Sequence, residues 1–261
     1  MTTPTWSQGA NYAYIAEVLE ATRPGHTWPE WHASLHAILP QAGVSRRKDI
    51  LEFVHRHCLD GATRVQATRF LSLFQEGSPH RKRTLVHARV AYRIPIVRAA
   101  VDFLDPWRRR LGQPLVPDES LQIPLAAWIG WATNLTGKAS ESRTLRESVS
   151  NTVTHLAACG CLQVKGIRPR IARVQRAEPD RLAAAWLIAY ELRATGQSEA
   201  SESSIVRDSF AARLFCLPDQ TVIGVLEAGV TAGLLSRSYL MGVPRYHPLP
   251  ETDVTVPNTD A

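Results

Sequence analysis

The residues that could carry acid–base, nucleophilic or metal chemistry in this chain are its histidines and cysteines. His32 and His36 are spaced i, i+4, so one helix face could present both rings to a metal ion, but no glutamate lies between them to act as a general base. Cys159 and Cys161 form a C-x-C pair, but no second pair is present to complete a structural zinc site. We therefore predict neither a metal site nor a catalytic residue among them.

The sequence also lacks the motifs of the common nucleotide-dependent and hydrolytic enzymes. It contains no phosphate-binding G-x-x-x-x-G-K-[ST] loop, no G-x-G-x-x-G dinucleotide fingerprint and no G-x-S-x-G nucleophile turn. Its acidic residues are scattered, with no pair placed for acid–base work. We expect a protein that is not an enzyme, that needs no cofactor and that has no small-molecule substrate.

A basic charge balance, supplied almost entirely by arginine, is the main functional signal in the composition. The formal net charge is +6, and lysine occurs only at Lys48, Lys82, Lys138 and Lys165. The planar guanidinium group binds phosphate through paired hydrogen bonds, so an arginine-rich protein suits a polyanionic partner. A GC-rich genome enriches arginine as well, so the positions of the arginines have to decide between the two explanations.

The composition further indicates a globular, cytoplasmic protein without a membrane partner. Hydrophobic residues make up 44% of the chain, which is enough to build a core. No apolar run approaches the roughly 18 residues of a membrane span, and Met1–Gln8 has no signal-peptide pattern. The four cysteines are too few for a disulfide framework in a chain of this length.

Apolar residues at helical spacing, interrupted by proline and glycine, predict a mainly α fold with short β-hairpin wings. Strands are expected only in two hairpins, near residues 161–175 and 234–247. The predicted units are an N-terminal helical, helix-turn-helix-like domain (1–111), a linker (112–124), a winged helix-turn-helix (125–178), a C-terminal winged-helix-like module (179–247) and a disordered tail (248–261).

The stretch 125–178 has the order of a winged helix-turn-helix: a scaffold helix, a turn, a recognition helix and a β-hairpin called the wing. Leu125–Leu135 is the predicted scaffold helix, and Ser140 is the predicted N-cap of a recognition helix that Gly160 ends. The start of a recognition helix reaches base edges and phosphates. The DNA contacts predicted for this helix are Arg143, Thr144 and Arg146.

The wing supplies a second group of predicted contacts. No acidic residue occurs between Glu147 and Glu178, so this stretch is locally basic. Wings contact backbone phosphates, which attract such a stretch. The contacts predicted for the wing are Lys165, Arg168, Arg170 and Arg173. If these cations are merely solvated, the same module would instead serve protein contacts.

Two basic clusters in the N-terminal domain are further candidates for phosphate contact. Each stands at the start of a predicted helix, where it could follow a nucleic-acid backbone. The candidate residues are Arg46, Arg47, Lys48, Arg81, Lys82 and Arg83. A third cluster, Arg108–Arg110, has the same composition, and each cluster taken singly is also typical of a solvated helix face.

The C-terminal module repeats the order of helix and hairpin with a different charge. Its predicted helix, Asp219–Ala232, carries Asp219, Gln220 and Glu227 on the outer face, so that face is not basic. We expect this module to have a structural or partner-binding role.

Several short motifs resemble the BrxA family of BREX phage-defence systems. They are Gly25–Glu30 (GHTWPE), Ser45–Ile50 (SRRKDI), Ser140–Arg146 (SESRTLR) and Leu156–Leu162 (LAACGCL). The resemblance covers about Tyr12 to Val174, although 62–104 matches only in general helical character. It implies a small helical protein that binds double-stranded DNA without catalysis, with other phage-defence subunits as possible partners. A scaffold that assembles those subunits and an RNA-binding protein remain the alternatives.

Overall fold

The computed structural model describes residues 10–35, 38–39, 43–59, 64–111, 113, 116–164 and 171–251. It is mostly helical, with 62% helix and 12% strand, as predicted. The helices are α1 (Ala10–Ala21), α2 (Trp28–Leu35), α3 (Val44–His57), α4 (Arg69–Gln75), α5 (Pro79–Arg93), α6 (Pro95–Phe103), α7 (Asp105–Arg108), α8 (Leu125–Thr136), α9 (Arg143–Ala158), α10 (Arg181–Ala194), α11 (Glu202–Asp208), α12 (Phe210–Phe215) and α13 (Asp219–Thr231). The strands are β1 (Gln122–Pro124), β2 (Leu162–Val164), β3 (Ile171–Val174), β4 (Ala200–Ser201), β5 (Leu235–Leu240) and β6 (Val243–Pro248).

Capping and proline placement explain where the N-terminal helices begin. Before α2, the Glu30 carboxylate accepts hydrogen bonds from the backbone N–H and the hydroxyl of Thr27, both 2.8 Å long. These bonds are half of a capping box, and they lower the pKa of Glu30. Helix α6 begins at Pro95, because proline has no N–H to continue the ladder of α5 and its ring clashes with the preceding turn.

Helix α10 lies at the centre of the hydrophobic core. Residues 183–190 are all buried, and Trp186 is fully inaccessible to solvent. The helix packs against α4 and α5 on one side and against α12 and α13 on the other. One continuous cluster of buried residues therefore joins the N-terminal helices to the C-terminal module.

The strands form two small antiparallel sheets of three strands each. The first has the order β1-β3-β2, with Ile123 paired to Ala172 and Val164 paired to Ala172 from the other side. The second has the order β4-β6-β5, so it repeats the arrangement in which the last strand lies in the middle. The four hairpin strands lie where the sequence predicts them, and β1 and β4 are additional.

The described parts of two segments predicted to be irregular have defined structure. The predicted linker 112–124 ends in a 3-10 helix at Asp118–Leu121 and in strand β1, because β3 offers an open edge for pairing. The start of the predicted disordered tail is also held in place, since the Glu251 carboxylate accepts hydrogen bonds from Trp186 Nε1 (3.1 Å) and Phe70 N (3.0 Å). The rest of the tail, 252–261, lies outside the described residues.

None of the helices within the described ranges combines the length and the apolar character that crossing a membrane requires.

Candidate nucleic-acid interface

Helices α8 and α9, which the sequence assigns to a helix-turn-helix, are joined by a turn of six residues. Gly137 closes α8 with a left-handed backbone (φ 67°), and its N–H donates to Thr133 O at 2.8 Å. The second helix begins at Arg143, three residues later than the predicted cap at Ser140. Ser140 instead lies in the turn, where its hydroxyl donates to the Glu141 carboxylate at 2.6 Å.

Helix α9 is amphipathic, as its sequence predicts. Its buried face carries apolar residues that are at most 2% exposed, namely Leu145, Val149, Val153 and Leu156. Its exposed face carries the predicted contact residues Arg143, Thr144 and Arg146, followed by Glu147 and Ser150. The helix therefore holds three predicted contacts outward at its N-terminal end, where the helix dipole favours an anion.

Within the described part of the chain, the two arginines of α9 make contacts that are exposed to solvent. The side chain of Arg143 is 91% exposed, and its Nε lies 2.7 Å from Glu147 Oε1. The Nε of Arg146 donates to Ser140 O at 3.2 Å, also at the surface. An exposed i, i+4 ion pair contributes only about 0.3–0.5 kcal/mol, so a phosphate can replace Glu147 at little cost. Sequence reasoning overlooked Glu147 as the partner of Arg143, although the spacing of four was visible.

Three of the contacts predicted for the wing lie outside the described residues. They are Lys165, Arg168 and Arg170. Arg173, on β3, is described, and its Nη2 lies 2.5 Å from Asp118 Oδ1. The 3-10 helix before β1 supplies this aspartate, and no sequence signal connects it to an arginine 55 positions away.

The cluster Arg46-Arg47-Lys48 lies in the first two turns of α3. Arg46 and Lys48 are exposed, and Arg47 is half-buried. The Arg46 guanidinium lies over the ring of Tyr14, 5.9 Å from its centroid. Lys48 Nζ is 3.9 Å from Glu52 Oε1, with both side chains largely exposed. Such contacts leave the cations accessible to a polyanion.

The cluster Arg81-Lys82-Arg83 is engaged mainly in holding helices together. Arg81 Nε lies 3.2 Å from Asp180 Oδ1, and the same carboxylate oxygen caps α10 by accepting from Leu182 N at 3.0 Å. Lys82 forms an ion pair with Glu20 of α1 and is 19% exposed. The exposed Arg83 lies over the ring of Tyr12, which is also on α1, at 5.6 Å. Arg81 and Lys82 therefore tie α5 to α10 and α1, and these ion pairs make them less suited to bind phosphate.

Four of the five arginines that line a charged cleft between α7 and the C-terminal module are likewise paired with carboxylates. The cleft has a volume of about 920 Å³ and is lined by residues of both regions. Its ion pairs are Arg108–Asp105, Arg109–Asp105, Arg207–Asp208 and Arg213–Asp102. Aspartate matches most of the positive charge in the cleft, so it is less suited to phosphate than the start of α9.

The cysteines and buried histidines show no arrangement suited to metal or nucleophilic chemistry. All four cysteines are buried thiols outside any disulfide. Burial raises the pKa of Cys159 and of Cys161, and it raises the pKa of Cys216 to about 12. Burial also lowers the pKa of His155 to about 4. Across the described part of the chain, no group of three or more potential ligands could hold a metal ion. Of the two histidines at i, i+4 spacing, His36 lies outside that part.

Comparison with protein-family models, with curated proteins and with solved structures finds no match for this chain. The resemblance to the BrxA family therefore rests on the short motifs quoted above.

Proposed function

We propose that this chain is a non-enzymatic protein that binds duplex DNA through a winged helix-turn-helix formed by residues 122–174. The connectivity supports this proposal: strand β1, helix α8, a turn, helix α9 and the β2–β3 hairpin, with β3 in the middle of the sheet. In this arrangement α9 is the recognition helix and the β2–β3 hairpin is the wing.

The observation that carries the proposal is the two-sided character of α9. One face is locked into the core by Leu145 and Val149, so the opposite face is held rigidly outward. That face begins with Arg143 and Arg146, and no acidic residue follows Glu147 until Glu178. A rigid helix start with exposed arginines, next to a basic hairpin, is suited to a groove lined by phosphates.

The C-terminal module supplies a second winged helix-turn-helix in this proposal. Its connectivity is β4, α11, α12, α13, β5 and β6, and its sheet has the same order as the first. The exposed residues of α13 include Asp219 and Glu227, so its helix face is unsuited to phosphate. A role in holding a protein partner fits that charge, and it is the feature that favours the alternative of a scaffold protein.

The resemblance to the BrxA family extends the proposal to a cellular setting. It suggests a cytoplasmic component of a BREX-like phage-defence system, with the other defence subunits as candidate partners. Co-purification of the tagged chain with the products of its neighbouring genes tests this part. Recovery of the chain alone, under conditions that preserve known complexes, would argue against an assembly.

The DNA-binding part is tested by fluorescence anisotropy with labelled duplex DNA, single-stranded DNA and duplex RNA of one sequence. We expect roughly micromolar binding to duplex DNA with little sequence preference, because phosphate contacts provide most of the free energy. The affinity should fall steeply between about 50 and 200 mM salt, because each released counterion gains less free energy when the bulk salt concentration is higher. Salt-insensitive binding, no binding at low salt, or a preference for RNA would contradict the proposal.

A further inference from the structure

The tip of the β5–β6 hairpin exposes a contiguous group of apolar side chains. We call residues Tyr239–Val243 the apolar tip. The exposed fractions are 65% for Tyr239, 52% for Leu240, 97% for Met241 and 46% for Val243. Four neighbouring apolar residues on a projecting hairpin favour aggregation, so natural hairpins that lack a partner carry polar residues there. Their presence indicates that the apolar tip enters an apolar environment.

The turn at the end of the hairpin has a backbone conformation that methionine rarely adopts. Leu240 pairs with Val243, so Met241 and Gly242 form a two-residue loop. Their φ angles are +51° and +79°, the pattern of a type I′ turn, in which asparagine, aspartate or glycine is preferred at the first position. Methionine is strained in this left-handed region, and strain of this kind at a surface position points to a function of the side chain.

The charges around the apolar tip match a polyanion. The hairpin from Leu235 to Pro248 contains Arg237 and Arg245 but no acidic residue. The Arg237 guanidinium lies over the ring of Tyr239, 5.7 Å from its centroid, and is therefore close to the tip. Arg245 projects from the opposite strand, where Glu199 holds it at 2.6 Å. Stacked bases between two rows of phosphates present an apolar interior with anionic edges, which complements this surface.

We propose that the apolar tip is a wedge that enters the minor groove of duplex DNA and inserts Met241 between two base pairs. Unstacking one step kinks the duplex by about 20–90° toward the major groove, as apolar wedges of other architectural proteins do. Arg237 contacts a phosphate on one side, and Arg245 contacts one on the other side after giving up its partly exposed ion pair with Glu199. The inference rests on the proposed function and adds to it a second contact, made by the module whose helix face is not basic.

Two substitutions separate the wedge from the stability of the hairpin. Met241→Asn removes the apolar side chain but creates an Asn-Gly turn, which favours the observed backbone, so the hairpin is retained. Met241→Leu keeps an apolar side chain and is the matched control. The probes are a duplex with 2-aminopurine beside a central TA step, which unstacks easily, and the same duplex with a fluorescent donor and acceptor at its ends.

With the wild-type chain we expect 2-aminopurine fluorescence to rise and the distance between the ends to shorten. Met241→Leu should preserve both signals. Met241→Asn should abolish both and weaken binding about five- to tenfold, the loss typical of one stacking contact. Equal unstacking and bending by the wild type and Met241→Asn would overturn the wedge.

Further measurements test whether the apolar tip binds a membrane or a second copy of the chain instead of DNA. They also separate failure of the wedge from failure of the proposed function. If Met241→Asn abolishes binding to phosphatidylcholine–phosphatidylglycerol vesicles or changes the oligomeric state by light scattering, and leaves the DNA signals unchanged, then the tip serves a membrane or a second copy and the wedge is overturned. If the wild-type chain binds duplex DNA without unstacking or bending it, only the wedge fails. If it does not bind duplex DNA at all, the proposed function fails too.

Discussion

Replacing Glu251 by alanine should destabilise the whole protein, although the residue lies only ten positions from the end of the chain. Its side chain is 19% exposed, and its carboxylate accepts hydrogen bonds from Trp186 Nε1 on α10 and from the backbone N–H of Phe70 on α4. It also forms an ion pair with Arg193, whose guanidinium donates a second hydrogen bond to Leu249 O at 2.7 Å. One side chain therefore joins the C-terminal segment to two core helices.

The size of the loss follows from the groups that Glu251→Ala leaves behind. A buried donor without an acceptor costs about 1–3 kcal/mol, and here the Trp186 indole and the Phe70 amide both lose theirs. Arg193 loses its counter-ion, but its bond to Leu249 O limits that cost. Because these effects are not additive, we expect a decrease of about 3–5 kcal/mol in the free energy of unfolding. Glu251→Gln keeps an acceptor oxygen and should lose about half as much.

Urea denaturation followed by tryptophan fluorescence measures these changes. The control is Glu76→Ala, which removes the exposed glutamate that follows α4 and whose side chain accepts a hydrogen bond from the Ser72 hydroxyl at 3.1 Å. Surface changes of this kind usually lie within about 0.5 kcal/mol of wild type. If Glu251→Ala is no more destabilising than Glu76→Ala, then the C-terminal segment does not anchor the core as described.

Three further predictions concern other parts of the structure. Met241→Asn should raise the free energy of unfolding by about 1 kcal/mol, or the melting temperature by about 2–4 °C, because asparagine adopts the left-handed backbone of this turn with less strain. An unchanged or lower free energy of unfolding would argue against such strain. Burial lowers the pKa of His87 to about 3 and of His155 to about 4. Because both pKa values lie below the unfolded value near 6.5, their contribution to stability is complete above pH 6.5 and is lost as the pH falls toward 4. His155→Gln should therefore make the free energy of unfolding depend less steeply on pH in this range. A profile as steep as that of the wild type would assign the pH dependence to other groups. Native Cys161 and Cys216 should not react with a thiol reagent until urea unfolds the chain, because burial keeps both thiols protonated, whereas rapid native labelling would show that they are accessible.

The sequence predicts those features that depend on local patterns. The apolar spacing of Leu145, Val149 and Val153 defines the buried face of α9, and the glycine after the helix marks the entry to β2. Strands β1 and β4 could not be found in this way, because segments of two or three residues have no periodicity. Their conformation comes from pairing with β3 and β6, which lie about 50 positions further along the chain.

Pairing between residues far apart in the chain also determines which of the predicted contact residues are accessible, and the sequence alone does not show this. Arg81 and Arg143 both appear as arginines near the start of a helix. Asp180, which is 99 positions from Arg81 in the chain, holds it in a partly buried pair, whereas Arg143 has only an exposed neighbour on its own helix. A sequence shows where the charges are, but the fold decides which of them remain available to a partner.

The most direct test of DNA binding by α9 is the affinity for duplex DNA after reversal of Arg143 and Arg146 to glutamate. The matched control reverses Arg109 and Arg207, whose side chains are 75% and 78% exposed and also pair with nearby carboxylates. Both double variants change the net charge equally. At about 1 kcal/mol or more for each lost phosphate contact, the α9 variant should bind at least tenfold more weakly than wild type while circular dichroism shows an intact fold. The control should lose much less. Equal losses in the two variants, or none in the α9 variant, would contradict the account of α9 as the recognition helix.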